Sequence, residues 1–415
     1  VTSASYVTGS HNIKVGVQYG FGYFWRQRRM AADSVQLYRN GVPSQVIIYN
    51  TPQSSQSNMD QDQGIFVQDQ WTIGRVTLSP GVRFEHFVGS IEGRSVNGGR
   101  FVPTRTFKDV SDVPNWRNVA PRVGFAWDVT GDGKTAVKAG WGRYVRAYGT
   151  GFADTYDPNF FTSATLAWTD LNSDNIAQGG LSYAADGTRS ACAYRSAGCE
   201  IDFSTLSSTF GTKPQQTFAK DIGRPYQHEM NVSVQRELFP GTSVTASFKR
   251  RDYKNLIWSD NTLIDPADYT KYTVQNPYDA TKTVDVYNLN PAKATAFSVL
   301  DQNSDQNKRY YNGYDISFQS RVKGLNIFGG YSAGHTLAVT CQTEDPNNST
   351  YCDQSQYDIP MYSQFKLNGS YNLPWKISVA ASVQSYNGDA RNGTNDGSIP
   401  ATSMVDPSLR VIWNM

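Results

Sequence analysis

Apolar and polar side chains alternate one by one from His11 to Trp25. Ile13, Val15, Val17, Tyr19, Phe21 and Tyr23 hold the odd positions, while Asn12, Lys14, Gly16, Gln18, Gly20 and Gly22 hold the even ones. Successive side chains of a strand point to opposite faces, so this stretch is read as a strand with one apolar and one polar face. The pattern recurs in pairs. Residues 118–128 set Val119, Val123, Phe125 and Trp127 against Asn118, Arg122, Gly124 and Asp128. After the turn Thr130-Gly131-Asp132-Gly133, residues 134–145 repeat it with Thr135, Val137, Ala139 and Trp141. Residues 226–238 pair in the same way with a return strand through Val244, Ala246 and Phe248. Further pairs are 64–73 with 75–87, 310–322 with 325–337, and 361–373 with 375–387.

The connections alternate in length. Those near Gly74, Gly131, Pro240, Gly324 and Pro374 are tight, whereas 88–117, 146–225, 254–309 and 338–360 are long. Short turns on one side and long loops on the other is the organisation of an antiparallel transmembrane β-barrel, periplasm below and exterior above. A small hairpin, 269–275 with 283–288, is expected inside one long loop. A soluble sandwich or propeller shares the alternation. The pairs here are unevenly spaced, however, whereas propeller blades recur at about 40–45 residues. The strands also exceed the roughly 5–6 residues usual in globular sheets.

Composition narrows the class. Only 18% of the 415 residues are charged, below the usual quarter, and 13% are aromatic. No apolar run is long enough for a spanning helix. A barrel strand needs only about 9–11 residues with every second one apolar, so this does not oppose a membrane barrel. A net charge of +2 gives no sign of a nucleic-acid partner. No leader stands at Val1, so Val1 is taken as a mature or internal position.

Depth along the strands supports the barrel. With the tight turns at the periplasm, Trp71, Trp127 and Trp375 fall beside turns, where an interfacial aromatic girdle belongs. Arg143 and Arg250 interrupt the apolar faces eight or nine residues above their turns. At about 3.3 Å per residue and a tilt near 40°, that is roughly 20–23 Å up an apolar band about 25 Å tall. Both can extend to the outer interface and meet lipopolysaccharide phosphates. Arg236 sits just above a turn. Asp69, between Val67 and Trp71, is the misfit, and a β-bulge that re-aims it is the expected remedy.

Several blocks carry a family resemblance. They are Gly64-Ile65-Phe66-Val67-Gln68-Asp69-Gln70-Trp71, Leu78-Ser79-Pro80-Gly81-Val82-Arg83-Phe84-Glu85, and Ala120-Pro121-Arg122-Val123-Gly124-Phe125-Ala126-Trp127-Asp128. Gly131-Asp132-Gly133-Lys134-Thr135, Gly140-Trp141-Gly142-Arg143-Tyr144, and Arg224-Pro225-Tyr226-Gln227-His228-Glu229 through Gln235-Arg236-Glu237-Leu238 belong with them. The chain resembles TonB-dependent outer-membrane receptors of the Oar-like group over most of 9–390. The resemblance implies a barrel of about 22 strands, a plug domain in its lumen, and energy delivered by the TonB complex. Eleven spanning strands are counted here, twelve if Leu409 to Met415 is one. Residues 1–415 are therefore expected to be part of a single barrel domain, with plug and C-terminal strands outside this chain. Such a piece is expected not to close alone.

The candidate chemistry is sparse. Cys192 with Cys199, and Cys341 with Cys352, are local pairs in predicted extracellular loops, where an oxidising compartment favours disulfides over free thiols. Neither pair has the further His or Cys that a metal site needs. Asp170, Asn172 and Asp174 alternate as at the start of a calcium loop, with the Ile176 carbonyl to follow. Asn175 and Leu181 stand where such a loop needs Gly and Glu, so an Asx-rich turn is the rival. Lys14, Arg122, Lys138, Glu229, Lys249, Arg251, Asp315, Arg321 and Lys366 are expected on the lumen face. The resemblance implies plug contacts for them, and simple wetting of a water-filled lumen is the alternative. His11, His86, His228 and His335 are read as isolated at strand ends. No catalytic constellation stands out. The expected function is uptake of an unidentified extracellular substrate, and the alternative is a structural or adhesive surface barrel.

Overall fold

The computed structural model describes residues 1–212, 216–277, 279–294, 296–375 and 377–386, and the backbone of a strand at 404–413. Thirteen strands form one sheet: β1 (Thr2–Thr8), β2 (His11–Arg28), β3 (Gln53–Ile73), β4 (Val76–Ile91), β5 (Asn115–Asp128), β6 (Thr135–Val145), β7 (Tyr226–Phe239), β8 (Thr242–Lys254), β9 (Lys308–Val322), β10 (Leu325–Val339), β11 (Tyr362–Leu373), β12 (Ile377–Tyr386) and β13 (Met404–Trp413). Each strand pairs antiparallel with the next in the chain. β1 and β13 are the two edges, and no pairing joins them among the described residues, so the sheet is an open arc of barrel wall.

Every second residue faces outward, and through the middle of the strands those residues form apolar rows. Val15, Val67 and Val82 lie in register across β2, β3 and β4, and Val17, Ile65, Phe84 and Val119 form the next row across to β5. All are exposed, as are Val123, Val232, Ile316 and Tyr331 further around. Only a hydrocarbon surround makes such a continuous apolar face favourable. Glycines shape the tight turns. Gly241 has a φ of 81°, and a side chain there would run into the Arg321 carbonyl oxygen.

Three expectations change. β1 was not anticipated: its residues are mostly small or hydroxyl-bearing, with Tyr6 and Val7 adjacent, so no alternation marks it. β3 begins at Gln53 rather than 64, because its upper half is polar on both faces and lies beneath loops instead of lipid. Asp69 is not re-aimed by a bulge, since the β2–β3 register runs unbroken from Asp62 to Trp71. It stays on the outer face, where His11 Nδ1 lies 2.6 Å from Asp69 Oδ2. The same imidazole stacks on Trp71 with ring centres 5.3 Å apart. His11 is therefore not isolated. Neither is His228, which stacks on Trp141 at 5.3 Å, and His86 Nε2 meets Asn115 Oδ1 at 2.9 Å.

The two high outward arginines have partners within the wall. Arg143 covers the Tyr226 ring at 3.8 Å, and Arg250 pairs with Asp252 at 2.7 Å. The predicted loop hairpin is present as Tyr269–Asn276 with Asp279–Leu289.

Candidate functional site

The inward face carries charged and amide side chains across most of its strands. Lys249 pairs with Asp315 at 2.9 Å and Arg251 with Glu229 at 3.1 Å across neighbouring strands. Lys138 donates to Gln235 at 3.1 Å, Arg122 lies over the Tyr144 ring at 4.4 Å, and Lys366 lies over Tyr386 at 5.6 Å. Arg321 reaches Asn326 near its turn. No ion pair among the described residues involves Lys14, Arg122, Lys138, Arg321 or Lys366. Apart from Lys14, the expected lumen residues thus divide into neutralised pairs and cations held by neutral partners. A groove between β7 and β11 brings together Lys249, Asp315, Gln319, Phe328, Gln364 and Lys366.

The upper part of this face is covered. Residues 146–160 and 216–224 of the long third loop fold inward onto β3, β4 and β5. Phe87 and Trp116 project from the sheet and meet Phe152, Tyr156 and Ile222 in a buried cluster. The rings of Trp116 and Phe152 are 4.7 Å apart, edge to face, an arrangement that aromatic quadrupoles favour. The Trp116 indole donates to the Ile222 carbonyl at 2.7 Å. Arg224 fastens the loop. Its side chain is 3% exposed, and its guanidinium lies 3.1 Å from Glu85 and donates to the Arg146 carbonyl at 2.8 Å. Glu85 also holds Arg83 at 2.7 Å, and Arg83 reaches Gln18, so the latch spans from β2 to the loop. Tyr156 donates to Asp301 at 2.5 Å, and burial, then this bond, push its phenol well above the usual range.

Above the sheet, three loops share a second core. Val46 and Ile48 come from the first, Phe101 and Val102 from the second, and Leu166, Trp168, Ile201 and Phe203 from the third. Ser163–Ala167 adds a strand to the hairpin Ser34–Arg39 with Val42–Tyr49. Arginines satisfy loop carbonyls: the buried Arg105 donates to Asn50 and Pro52, and the half-buried Arg100 to Ala177 and Gly179. Buried backbone acceptors need such partners, which keeps these loops in one conformation. Sequence patterning missed Arg224, Glu85 and Arg105 as site residues. The first two stand in the family-like blocks, but nothing in their spacing announces a contact.

The cysteines are joined as Cys192–Cys199, with Cα atoms 5.8 Å apart, and Cys341–Cys352, at 4.8 Å. Non-reducing peptide mapping of protein taken from the cell surface should recover both linked peptides. Alkylation of any of the four thiols without prior reduction would refute the pair concerned.

At the calcium-like turn, Asp170, Asp174 and the buried Glu200 bring ligand atoms within 4.8 Å of one another, and these are the residues there that could hold a hard cation. Asn172 instead accepts from the Asp174 amide at 3.1 Å. Asp170 accepts from Asn175 and Asp174 from Ile176, and this last bond lowers the Asp174 carboxyl below its usual range. These are the bonds of an Asx-rich turn.

Comparison with known proteins agrees with this architecture. The family described as "Outer membrane beta barrel domain" matches residues 1–384. Among solved structures, the outer membrane transporter YddB from Escherichia coli is 13% identical, covering 98% of this chain and 45% of its own, with a TM-score of 0.49. The FrpB iron transporter from Neisseria meningitidis (F3-3 variant) is 9% identical over 99% of this chain and 47% of its own, with a TM-score of 0.48. The siderophore receptor PiuA from Acinetobacter baumannii is 10% identical over 99% and 47%, with a TM-score of 0.46. This chain thus spans about half the length of these proteins. No curated protein matches it. With the family model covering all but the last residues, the chain belongs to the outer membrane β-barrel domain family and resides in the bacterial outer membrane.

Proposed function

We propose that this chain is wall and loops of a TonB-dependent receptor of the Oar-like group, taking up an extracellular substrate across the outer membrane. The observation that carries the reading is the ionised inward wall beneath a loop latched into it by Arg224 and Glu85. A wall that served only as an anchor for loops has no need of charged pairs on its inner face, whereas a solute path and a plug both have. The blocks around Trp71, Glu85, Trp127 and His228 support the subgroup by resemblance. On this reading residues 1–415 form part of one larger barrel domain, and plug and further strands complete it. The outward Arg143 and Arg250 lie at the height of lipopolysaccharide phosphates.

The periplasmic part of TonB, purified and immobilised, is expected to capture the full-length protein by surface plasmon resonance. Absence of capture, together with loss of cell adhesion when the third loop is deleted, would replace transport by the adhesive reading.

A further inference from the structure

We propose that the seam between the top of β3 and the docked third loop binds a hard, oxygen-preferring cation, held by the Asp157 carboxylate and the side-chain amide oxygens of Gln53 and Asn159. These side chains are 3%, 1% and 2% exposed. Each presents one buried oxygen that accepts no hydrogen bond from any donor among the described residues: Asp157 Oδ2, Gln53 Oε1 and Asn159 Oδ1. The three belong to one network. Gln53 Nε2 donates to the Asn159 carbonyl at 2.5 Å, and the Asn159 amide donates to Asp157 Oδ1 at 2.8 Å. Asn159 Nδ2 donates to the Ser54 carbonyl at 2.5 Å. Because each side-chain nitrogen is spent on a carbonyl, which cannot donate, the remaining end of each amide must be its oxygen.

The charge has no direct counter-ion: Arg94 and Arg26 act on it only from a distance. Arg26 is paired with Asp154 at 2.8 Å. Arg94 is bonded to Ser54 and Gln56, which alternate with Gln53 and Ser57 and so lie on the other face of the strand. Asp157 takes part in no ion pair among the described residues, and burial, opposed in part by Arg94 and Arg26, pushes its carboxyl up to about 6. Buried acceptors that belong to one network and carry a single negative charge are the complement of a bare cation. A set of carboxylate and amide oxygens suits sodium or calcium and lacks the nitrogen and sulfur that select zinc or copper. A single carboxylate implies modest affinity. The bound ion would pin residues 157–160 to β3 and so help hold the loop inward. The site is separate from the turn of Asp170, Asp174 and Glu200.

Hydrogen exchange of the peptide covering 152–162 tests this, using the full-length protein in detergent. The three solutions are calcium chloride, sodium chloride, and choline chloride with a chelator. Exchange is expected to be roughly tenfold faster in choline than with a bound ion, since the ion holds the segment closed. Protection by calcium alone, or by sodium as well, supports the site and identifies the ion. Asp157→Asn should abolish the ion dependence, and Asp174→Asn should leave it as in the wild type. Asn159→Ala keeps the charge, loses one ligand and should weaken the dependence, and it carries the test if Asp157→Asn gives no heat-modifiable barrel. Equal exchange in all three solutions would mean that the oxygens meet water only. That result, or dependence that survives Asp157→Asn, overturns the proposal.

Discussion

Ile316→Arg should stop the full-length protein from folding into bilayers, while Ser317→Arg, one position along, inserts nearly as the wild type does. Ile316 faces outward, half-exposed on β9, in register with Ala246 and Tyr331. It lies six residues above the end of β9 at Val322, which at about 3.3 Å per residue and a 40° tilt places it near the bilayer midplane. A cation there costs about 2–4 kcal/mol. Ser317 lines the inner groove with Lys249 and Lys366, where an added guanidinium stays in water. Urea titrations of refolding into vesicles measure the difference. Equal losses for the two variants would mean that the facing of β9 is wrong.

The second large effect is expected at Arg224. Removing a buried partner leaves its counter-charge in a low-dielectric site, at about 3–5 kcal/mol. Arg83 remains on Glu85, so Arg224→Ala falls toward the lower end of that range. The contacts of the guanidinium with the Phe87 and Trp116 faces disappear with it. The sheet keeps its own hydrogen bonds, so the loss should be local. Residues 216–224 and 146–156 become protease-sensitive in intact cells while the barrel stays heat-modifiable. Arg224→Lys restores charge but not the contact with the Arg146 carbonyl, and should recover only part of the protection. Protease resistance of Arg224→Ala equal to that of the wild type would show that the loop is held by its aromatic cluster alone.

Where one face of a strand meets lipid and the other meets water, the chain announces itself. β2, β5, β6, β7 and β8 are legible for that reason, down to the facing of Val123 or Lys249. Legibility ends where both faces share an environment. Gln53–Asp62 is polar on both sides because it rises above the lipid, and β1 is built from residues that suit either face. The cysteine pairs could be picked out by short separation in sequence. The Arg224–Glu85 contact joins residues 139 apart, and Glu200 approaches Asp170 from 30 positions away, so no local period could reveal either. His11 and Asp69 are the instructive case. Asp69 looked like a misfit on the outer face and His11 like an isolated strand-end histidine, and only the β2–β3 register shows that they answer each other.

The shared core of the loops also constrains the order of assembly. Val46, Phe101 and Ile201 lie on three loops separated by complete strand pairs. None of these loops holds enough apolar surface to fold by itself, and their cores require contacts between residues far apart in the chain, which are slow to form. Pairing of β2 through β7 is what brings the three loops side by side. The loops must therefore cross to the exterior as unfolded chain and condense only after the sheet beneath them has zipped. On this order, the nascent barrel at the cell surface passes through a stage in which its wall is built and its cap is not.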